Sequence, residues 1–138
     1  MSRIYFTDRN LGKQFPSILA AAGLKVERHH DLFPPNGSDE QWLAYCGTHG
    51  RIAITHDRRI RHKVNERDAV MQHGVALLIV IGKAPYPELA RSFAASLAKV
   101  EAFLEREKPP YIAKVYRPAL SEMSMNPAAP GSIVRWFP

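Results

Sequence analysis

Three acidic positions have the residue types and spacing that metal-assisted chemistry requires. Asp8 follows the apolar run at residues 4–7, and Asp57 stands two residues beyond the apolar run at residues 51–55. Both runs have the β-branched and aromatic bias of strands. The carboxyl ends of parallel strands meet at one sheet edge, and neighbouring strands are roughly 4.8 Å apart. We therefore expect Asp8 and Asp57 to lie close together, with the Asp39-Glu40 pair as a third acidic position.

Neighbouring carboxylates at such an edge favour a hard divalent cation. Two ionised carboxylates repel each other, and without a cation one of them tends to keep its proton. Mg²⁺ or Mn²⁺ takes oxygen ligands and usually retains several waters. Water on such an ion is more acidic and can attack a phosphodiester. Asp8 and Asp57 thus predict a Mg²⁺ or Mn²⁺ site with hydrolytic chemistry.

A run of cations surrounds Asp57. Between residues 51 and 67, six Lys and Arg residues stand against only two acids, Asp57 and Glu66. Such a local basic patch is a better indication of nucleic acid than the net charge of +6 alone. Cations beside a carboxylate site can hold a phosphate backbone. The candidate RNA-binding residues are Arg9, Arg58, Arg59, Arg61 and Lys63.

Each acid also has a purely structural alternative. Asp8 can cap a turn, and Asp57 can cap the segment that follows it. Asp39 and Glu40 lie in the first turn of a predicted helix, where acids interact favourably with the helix dipole. Thr55 is either an ordinary strand residue or a support that orients Asp57 by a hydrogen bond.

Other potential ligand groups match no standard site. The groups His29-His30-Asp31 and Cys46 with His49 lack the spacing of a zinc centre. Cys46 lies on the apolar face of a predicted helix, which favours a buried, inert thiol over a nucleophile. No glycine-rich phosphate loop is present. The acidic positions remain the strongest indication of function.

The bulk properties indicate one globular domain. The chain has 138 residues, 46% of them hydrophobic, which is enough for a core and argues against disorder. The longest apolar run, residues 75–81, is too short to span a bilayer. We expect no signal peptide and, with one cysteine, no internal disulfide. A cytoplasmic protein without a membrane partner is the expectation.

Strands and helices alternate along the chain. This alternation predicts an α/β fold, a three-layer α/β/α sandwich with a mainly parallel central sheet. Residues 38–41 read as a capping box, in which Ser38 and Gln41 cap each other's amides. We expect a domain at residues 1–118 and a C-terminal extension at 119–138 packed on it. The predicted strands are residues 4–7, 24–29, 51–55, 75–81, 111–116 and 133–137, and the predicted helices are residues 15–22, 38–48, part of 63–73, and 87–107.

Three segments in this order resemble the PIN-like domains. They are IYFTDRNLG at residues 4–12, SDEQWL at 38–43 and RIAITHD at 51–57. In these domains an Asp ends the first strand, an acid opens the helix before the third strand, and Thr-x-Asp closes the third strand. Within that group, THDRRI at residues 55–60 and IAKVYRP at 112–118 are similar to a VapC-type toxin subfamily.

The resemblance implies a Mg²⁺- or Mn²⁺-dependent endoribonuclease. Asp8, Asp57 and one or both of Asp39 and Glu40 would be its metal ligands and catalytic acids. Its partners would be an RNA substrate and the small antitoxin protein of a toxin–antitoxin pair. A homodimer is also common in the family, with Trp42, Trp136 or Phe137 either at an interface or in the core.

The family usually has a fourth acid later in the chain. Glu66 and Asp68 are the candidates, although both also suit a solvated helix face. Two other functions therefore stay open. One is a non-catalytic PIN-like module that binds RNA or protein, and the other is a receiver-like domain in which an Asp accepts a phosphoryl group.

Overall fold

The computed structural model describes residues 3–57, 59–60 and 63–138. Arg58 and Arg61, two of the predicted RNA-binding residues, therefore lie outside the described residues. A short 3-10 helix at Arg9–Leu11 follows the first strand. The other described elements are β1 (Ile4–Thr7), α1 (Gln14–Ala21), β2 (Lys25–Arg28), α2 (His29–Leu32), α3 (Asp39–His49), β3 (Ile52–Thr55), α4 (Val64–His73), β4 (Ala76–Ile81), α5 (Tyr86–Ala95), α6 (Leu97–Arg106), β5 (Tyr111–Tyr116), α7 (Leu120–Met125) and β6 (Ser132–Phe137).

One six-stranded sheet organises the described chain. Its strand order is β2-β1-β3-β4-β5-β6, and only β6 runs antiparallel to its neighbour. Two apolar cores flank the sheet because side chains along a strand point alternately to opposite faces. In β4, for example, Leu78 packs in one core with α1, α5 and α6, whereas Leu77 packs in the other with α3 and α4. The predicted three-layer α/β/α sandwich with a mainly parallel sheet is confirmed.

The segment at residues 87–107 is not the single helix that its apolar stripe predicted. It forms α5 and α6, which meet at Ser96. The buried Ser96 hydroxyl donates to the Ser92 carbonyl at 2.8 Å and accepts the Gly131 N–H at 2.8 Å. A serine that bonds back to the preceding turn competes with regular helix geometry, which explains the break. The stripe itself is buried as expected at Leu89, Phe93 and Val100.

The start of α3 and the end of the chain also differ from the sequence predictions. Ser38 occupies the N-cap with extended backbone, but its side chain makes no capping hydrogen bond, so the predicted capping box is wrong. Inside the first turn, Asp39 accepts a hydrogen bond from Trp42 instead. Helix α7 was not predicted, because Leu120–Met125 has no apolar stripe and buries no residue.

The C-terminal strand lies in the same sheet as the rest of the chain, with Val134 of β6 opposite Lys114 of β5. The division at residues 118 and 119 stays a prediction.

Trp42 is fully buried in the core rather than at a surface. Among the described residues, no helix has both the length and the apolar character that crossing a membrane requires.

Candidate active site

The carboxyl ends of β1 and β3 meet where the strand order reverses. The chain continues from β1 to β2 on one side, while β3 lies on the other. Thr7 is paired with Ile54, and the Asp8 N–H donates to the Ile54 carbonyl at 2.9 Å. Open α/β sheets bind their ligands in the crevice at such a switch point. Residues just after β1 and β3 are therefore placed at the expected position for a site.

An open cleft of about 540 Å³ occupies this position. We call it the acidic cleft. Three of the four predicted catalytic acids line it. The fourth, Glu40, does not, and its side chain is exposed on α3. The residues that line the acidic cleft are Asp8, Arg9, Asn10, Asp39, His56, Asp57 and Arg59.

Thr55 connects the two strand-end acids through one buried hydroxyl group. Its Oγ1 donates to Asp8 Oδ2 at 2.8 Å and accepts the Asp57 N–H at 3.2 Å. It also accepts a hydrogen bond from Asn10 Nδ2 at 3.2 Å. A hydroxyl can donate once and accept twice, so all three contacts are compatible. The sequence analysis considered a hydrogen bond from Thr55 to Asp57, but it did not predict the hydrogen bond to Asp8.

The carboxyl group of Asp8 is buried among other negative charges. Burial raises the pKa of Asp8 to about 6, partly offset by the Thr55 hydrogen bond, while the charges of Asp39 and Asp57 raise it further. An acid in this environment is stabilised by a nearby cation, which offsets both burial and repulsion. The electrostatics of the acidic cleft therefore suit a bound cation.

The pKa of Asp57 is shifted in the opposite direction to that of Asp8. Burial works to raise the pKa of Asp57, but hydrogen bonds from Lys63 and Arg59 outweigh it, so the pKa is lowered. Lys63 Nζ lies 3.0 Å from Asp57 Oδ2 and 3.9 Å from Asp39 Oδ2. Arg59 Nε lies 3.3 Å from Asp57 Oδ1. An ammonium group thus stands between two of the three carboxylates of the cleft.

The carboxyl group of Asp39 is oriented by a tryptophan of the core. The Trp42 indole N–H donates to Asp39 Oδ1 at 3.0 Å, one helical turn along α3. The same indole is fully buried and stacks on Phe6 of β1, with ring centroids 5.5 Å apart. One oxygen of Asp39 is therefore held by the core, while the other faces Lys63. The i, i+3 spacing of Asp39 and Trp42 is the sequence signal that could have identified this support.

Two residues of the acidic cleft were missed by the sequence interpretation. Asn10 bonds to Thr55, and its Oδ1 accepts the His56 N–H at 3.4 Å. The His56 ring donates from Nδ1 to the Val80 carbonyl at 2.8 Å. Both residues stand within two positions of a predicted acid, which is the only local signal that could have found them.

The fourth acid is not found in the acidic cleft. Neither Glu66 nor Asp68 lines it, and Asp68 is exposed on α4. The Asp57 hydrogen bond is the main cause that raises the pKa of Lys63, and the charge of Glu66 adds to it. Of the predicted RNA-binding residues, Arg9 and Arg59 line the cleft and Lys63 bonds to its Asp57.

The donor set fits a hard cation in chemistry. The three carboxylates supply the oxygen ligands that Mg²⁺ and Mn²⁺ prefer, and a cationic ammonium already lies between two of them. Among the described residues, however, no three His, Cys, Asp or Glu side chains are close enough together to form a metal site. A bound ion would therefore require these carboxylates to move closer together and the Lys63 ammonium, which lies between Asp39 and Asp57, to move away.

The fold and the cleft define an α/β domain with carboxylates at its topological switch point. Residues 4–82, more than half of the chain, match the family model described as PIN like domain. The chain belongs to the PIN-like domain family, whose members are in general nucleases. Searches of curated proteins and of solved structures found no match. The family match favours the nuclease class over the receiver-like alternative.

Proposed function

We propose that the protein is a metal-dependent endoribonuclease that hydrolyses RNA phosphodiesters with Mg²⁺ or Mn²⁺. The observation that carries the proposal is the acidic cleft, in which Asp8, Asp39 and Asp57 converge at the switch point of a PIN-like sheet. The cations beside these carboxylates, Arg9, Arg59 and Lys63, are suited to an RNA backbone.

In this proposal Asp8, Asp39 and Asp57 hold the ion, and the exposed Glu40 does not. When bound, the ion supplies an acidic water and neutralises charge on the phosphate. Thr55 fixes the positions of Asp8 and Asp57 relative to each other through its two hydrogen bonds. Trp42 fixes one oxygen of Asp39.

Lys63 has two roles in this proposal. Without an ion, its ammonium neutralises Asp57 and approaches Asp39. Its flexible four-carbon stem can carry the charge away to a phosphate when an ion takes that place. Arg59, whose side chain is 81% exposed, can turn to the RNA in the same way.

The test is a cleavage assay on a mixed RNA pool with Mg²⁺, with Mn²⁺ and with EDTA. We expect cleavage products with either ion and none with EDTA. The assay is repeated with Asp57→Asn, which we expect to abolish cleavage while the fold remains. Cleavage that continues unchanged in EDTA would contradict metal dependence.

A non-catalytic PIN-like module that binds RNA or protein is the second candidate. Two observations favour it: neither Glu66 nor Asp68 lines the cleft, and no metal-binding group is assembled among the described side chains. This candidate predicts that binding survives EDTA and that no cleavage products form with any RNA tested. The same RNA pool, analysed by filter binding beside the cleavage assay, distinguishes the two.

Within the nuclease proposal, the protein acts as the toxin of a toxin–antitoxin pair. The resemblance of residues 55–60 and 112–118 to VapC-type toxins supports this role. We expect expression of the wild-type chain to arrest growth of its host and expression of Asp57→Asn to leave growth unaffected. Co-expression of a small neighbouring protein that restores growth would identify the antitoxin.

A further inference from the structure

A second pocket, of about 170 Å³, lies on the other side of Asp8. It shares Asp8 and Arg9 with the acidic cleft. Its remaining walls come from Thr7 at the end of β1, from the turn before α1 and from the junction of β2 and α2, where His29 lies. We call it the His29 pocket. Because the two cavities share two lining residues, they are adjacent, and neighbouring nucleotides of one RNA strand can reach both.

Three basic residues are among those that line the His29 pocket. Arg9, Lys13 and Arg28 all contribute to its lining. The Arg28 guanidinium is held by Asp31 through hydrogen bonds of 2.8 and 3.0 Å. Lys13 is exposed and makes no ion pair with any described residue. The pocket therefore offers at least one uncommitted cation for a phosphate.

One residue that lines the pocket, His29, carries a buried and unpaired polar atom. His29 is only 3% exposed, and its Nδ1 has no hydrogen-bond partner among the described residues. The ring lies against Phe6 and Phe33, with centroids 6.3 and 5.5 Å away. A buried polar atom without a partner is rare in native proteins and indicates a missing water, ion or ligand. The χ2 torsion of histidine is broad and roughly two-fold, so the ring can turn this nitrogen towards a bound group.

The ring is suited to a nucleobase rather than to a phosphate. Burial lowers the pKa of His29, which favours the neutral imidazole with one donor and one acceptor. Such a ring can pair with the hydrogen-bonding edge of a base. Asp31 is already paired with Arg28, and the described side chains form no metal site at His29, His30 and Asp31, as the spacing of these residues indicated.

We propose that the His29 pocket binds the nucleotide next to the scissile phosphate. His29 contacts the base, and Lys13 and Arg9 hold its phosphate. The pocket then sets a base preference beside the cut. This inference rests on the proposed nuclease function, but nucleotide binding to the pocket can be measured without cleavage.

The test uses NMR titration of the full chain carrying Asp57→Asn, so that RNA is not cut. The amide of Gly12, which lines the His29 pocket, reports on that pocket, and the amide of His56 reports on the acidic cleft. The probes are the four nucleoside 5′-monophosphates, the matching nucleosides, inorganic phosphate and a short RNA. We expect one monophosphate to shift the Gly12 amide saturably and more strongly than the other three.

Two variants separate the base contact from the phosphate contact. His29→Phe keeps an aromatic ring against Phe6 and Phe33, and we expect it to weaken the preferred nucleotide about fivefold through the lost hydrogen bond. His49→Phe changes an exposed histidine outside the pocket and should leave affinity unchanged. Lys13→Ala alters an exposed side chain, so it should fold normally and weaken the monophosphate but not the nucleoside.

Specific results would overturn the inference. If inorganic phosphate shifts Gly12 as strongly as the best nucleotide, the pocket is an anion site and reads no base. If the short RNA shifts the His56 amide but not Gly12, RNA uses the acidic cleft alone, and the nuclease proposal stands without this pocket. If neither amide responds to RNA, the nuclease proposal fails as well.

Discussion

The Thr55 hydroxyl donates a 2.8 Å hydrogen bond to the buried carboxylate of Asp8. The same oxygen accepts the backbone N–H of Asp57 at 3.2 Å. One side chain at the end of β3 thus sets the position of an acid after β1 and of another after β3. The geometry of the acidic cleft depends on this hydroxyl as directly as on the carboxylates themselves.

Replacing Thr55 with Val removes the hydroxyl group and keeps the shape of the side chain. Asp8 then loses a donor, while Asp57 and Asn10 lose an acceptor, so we expect a loss of about 1 to 3 kcal/mol in the free energy of unfolding. We also expect slower RNA cleavage, because the two carboxylates lose their common support. Urea denaturation and cleavage rates measure both effects. Thr55→Ser keeps the hydroxyl and should retain most of the activity, and equal damage by Ser and Val would contradict this role.

The raised pKa of Asp8 predicts a specific dependence of stability on pH. The folded-state pKa, about 6, lies above the ordinary value of 3.8, so the folded chain binds this proton more tightly than the unfolded chain. The resulting stabilisation is complete below pH 3.8 and is lost as the pH rises through about 6. At pH 7 Asp8 therefore costs stability, on the order of 3 kcal/mol.

The comparison of Asp8→Asn with wild type isolates this effect. The amide does not titrate, so we expect the variant to gain stability relative to wild type as the pH rises from 4 to 7. The difference should then level off above pH 7. Urea denaturation at several pH values measures it, and a difference that does not change with pH would show that Asp8 titrates normally.

Lys63 and a divalent ion are expected to compete for the same carboxylates. The Lys63 ammonium lies 3.0 Å from Asp57 and 3.9 Å from Asp39. Lys63→Ala should therefore tighten Mn²⁺ binding, measured by titration calorimetry, while it weakens RNA binding. Lys83→Ala, at an exposed position outside the acidic cleft, is the matched control. Weaker Mn²⁺ binding in Lys63→Ala would show that the lysine supports the ion instead.

Trp42 is expected to act on cleavage through Asp39. Trp42→Phe keeps an aromatic ring next to Phe6 but removes the indole N–H that holds Asp39 Oδ1. We expect kcat to fall about tenfold with little change in KM, since a single oriented hydrogen bond is lost. Tyr45→Phe removes a hydrogen bond to Glu27 outside the cleft and serves as the control. Equal effects of the two variants would point to a general loss of packing.

The sequence predicts the sheet well because its signals are local. The bounds of β1 and β5 follow from short apolar runs, and alternation with helices implies parallel strands. The break between α5 and α6 could not be predicted from local sequence, because Ser96 is bonded to the amide of Gly131, 35 residues along the chain. Helical periodicity continues across that break and gives no sign of it.

The site could be predicted only in part, because some of its contacts join residues that are far apart in the sequence. Strand ends identify Asp8 and Asp57, because parallel strands bring their carboxyl ends to one edge. Asp39 and Glu40 are adjacent in the sequence, and only the packing of Trp42 on Phe6 distinguishes the residue that faces the cleft. Asn10 and His56 were missed since their partners come from other elements.

The most direct test of the account is the single-turnover cleavage rate of one susceptible RNA with Mg²⁺. The proteins compared are the wild type, three variants in which one acid of the cleft is replaced, Asp8→Asn, Asp39→Asn and Asp57→Asn, and the exposed control Glu40→Gln. We predict that each of the three loses about 100-fold or more, as removal of a catalytic group does, while Glu40→Gln stays close to wild type. An Asp57→Asn protein that cuts as fast as wild type would contradict the account.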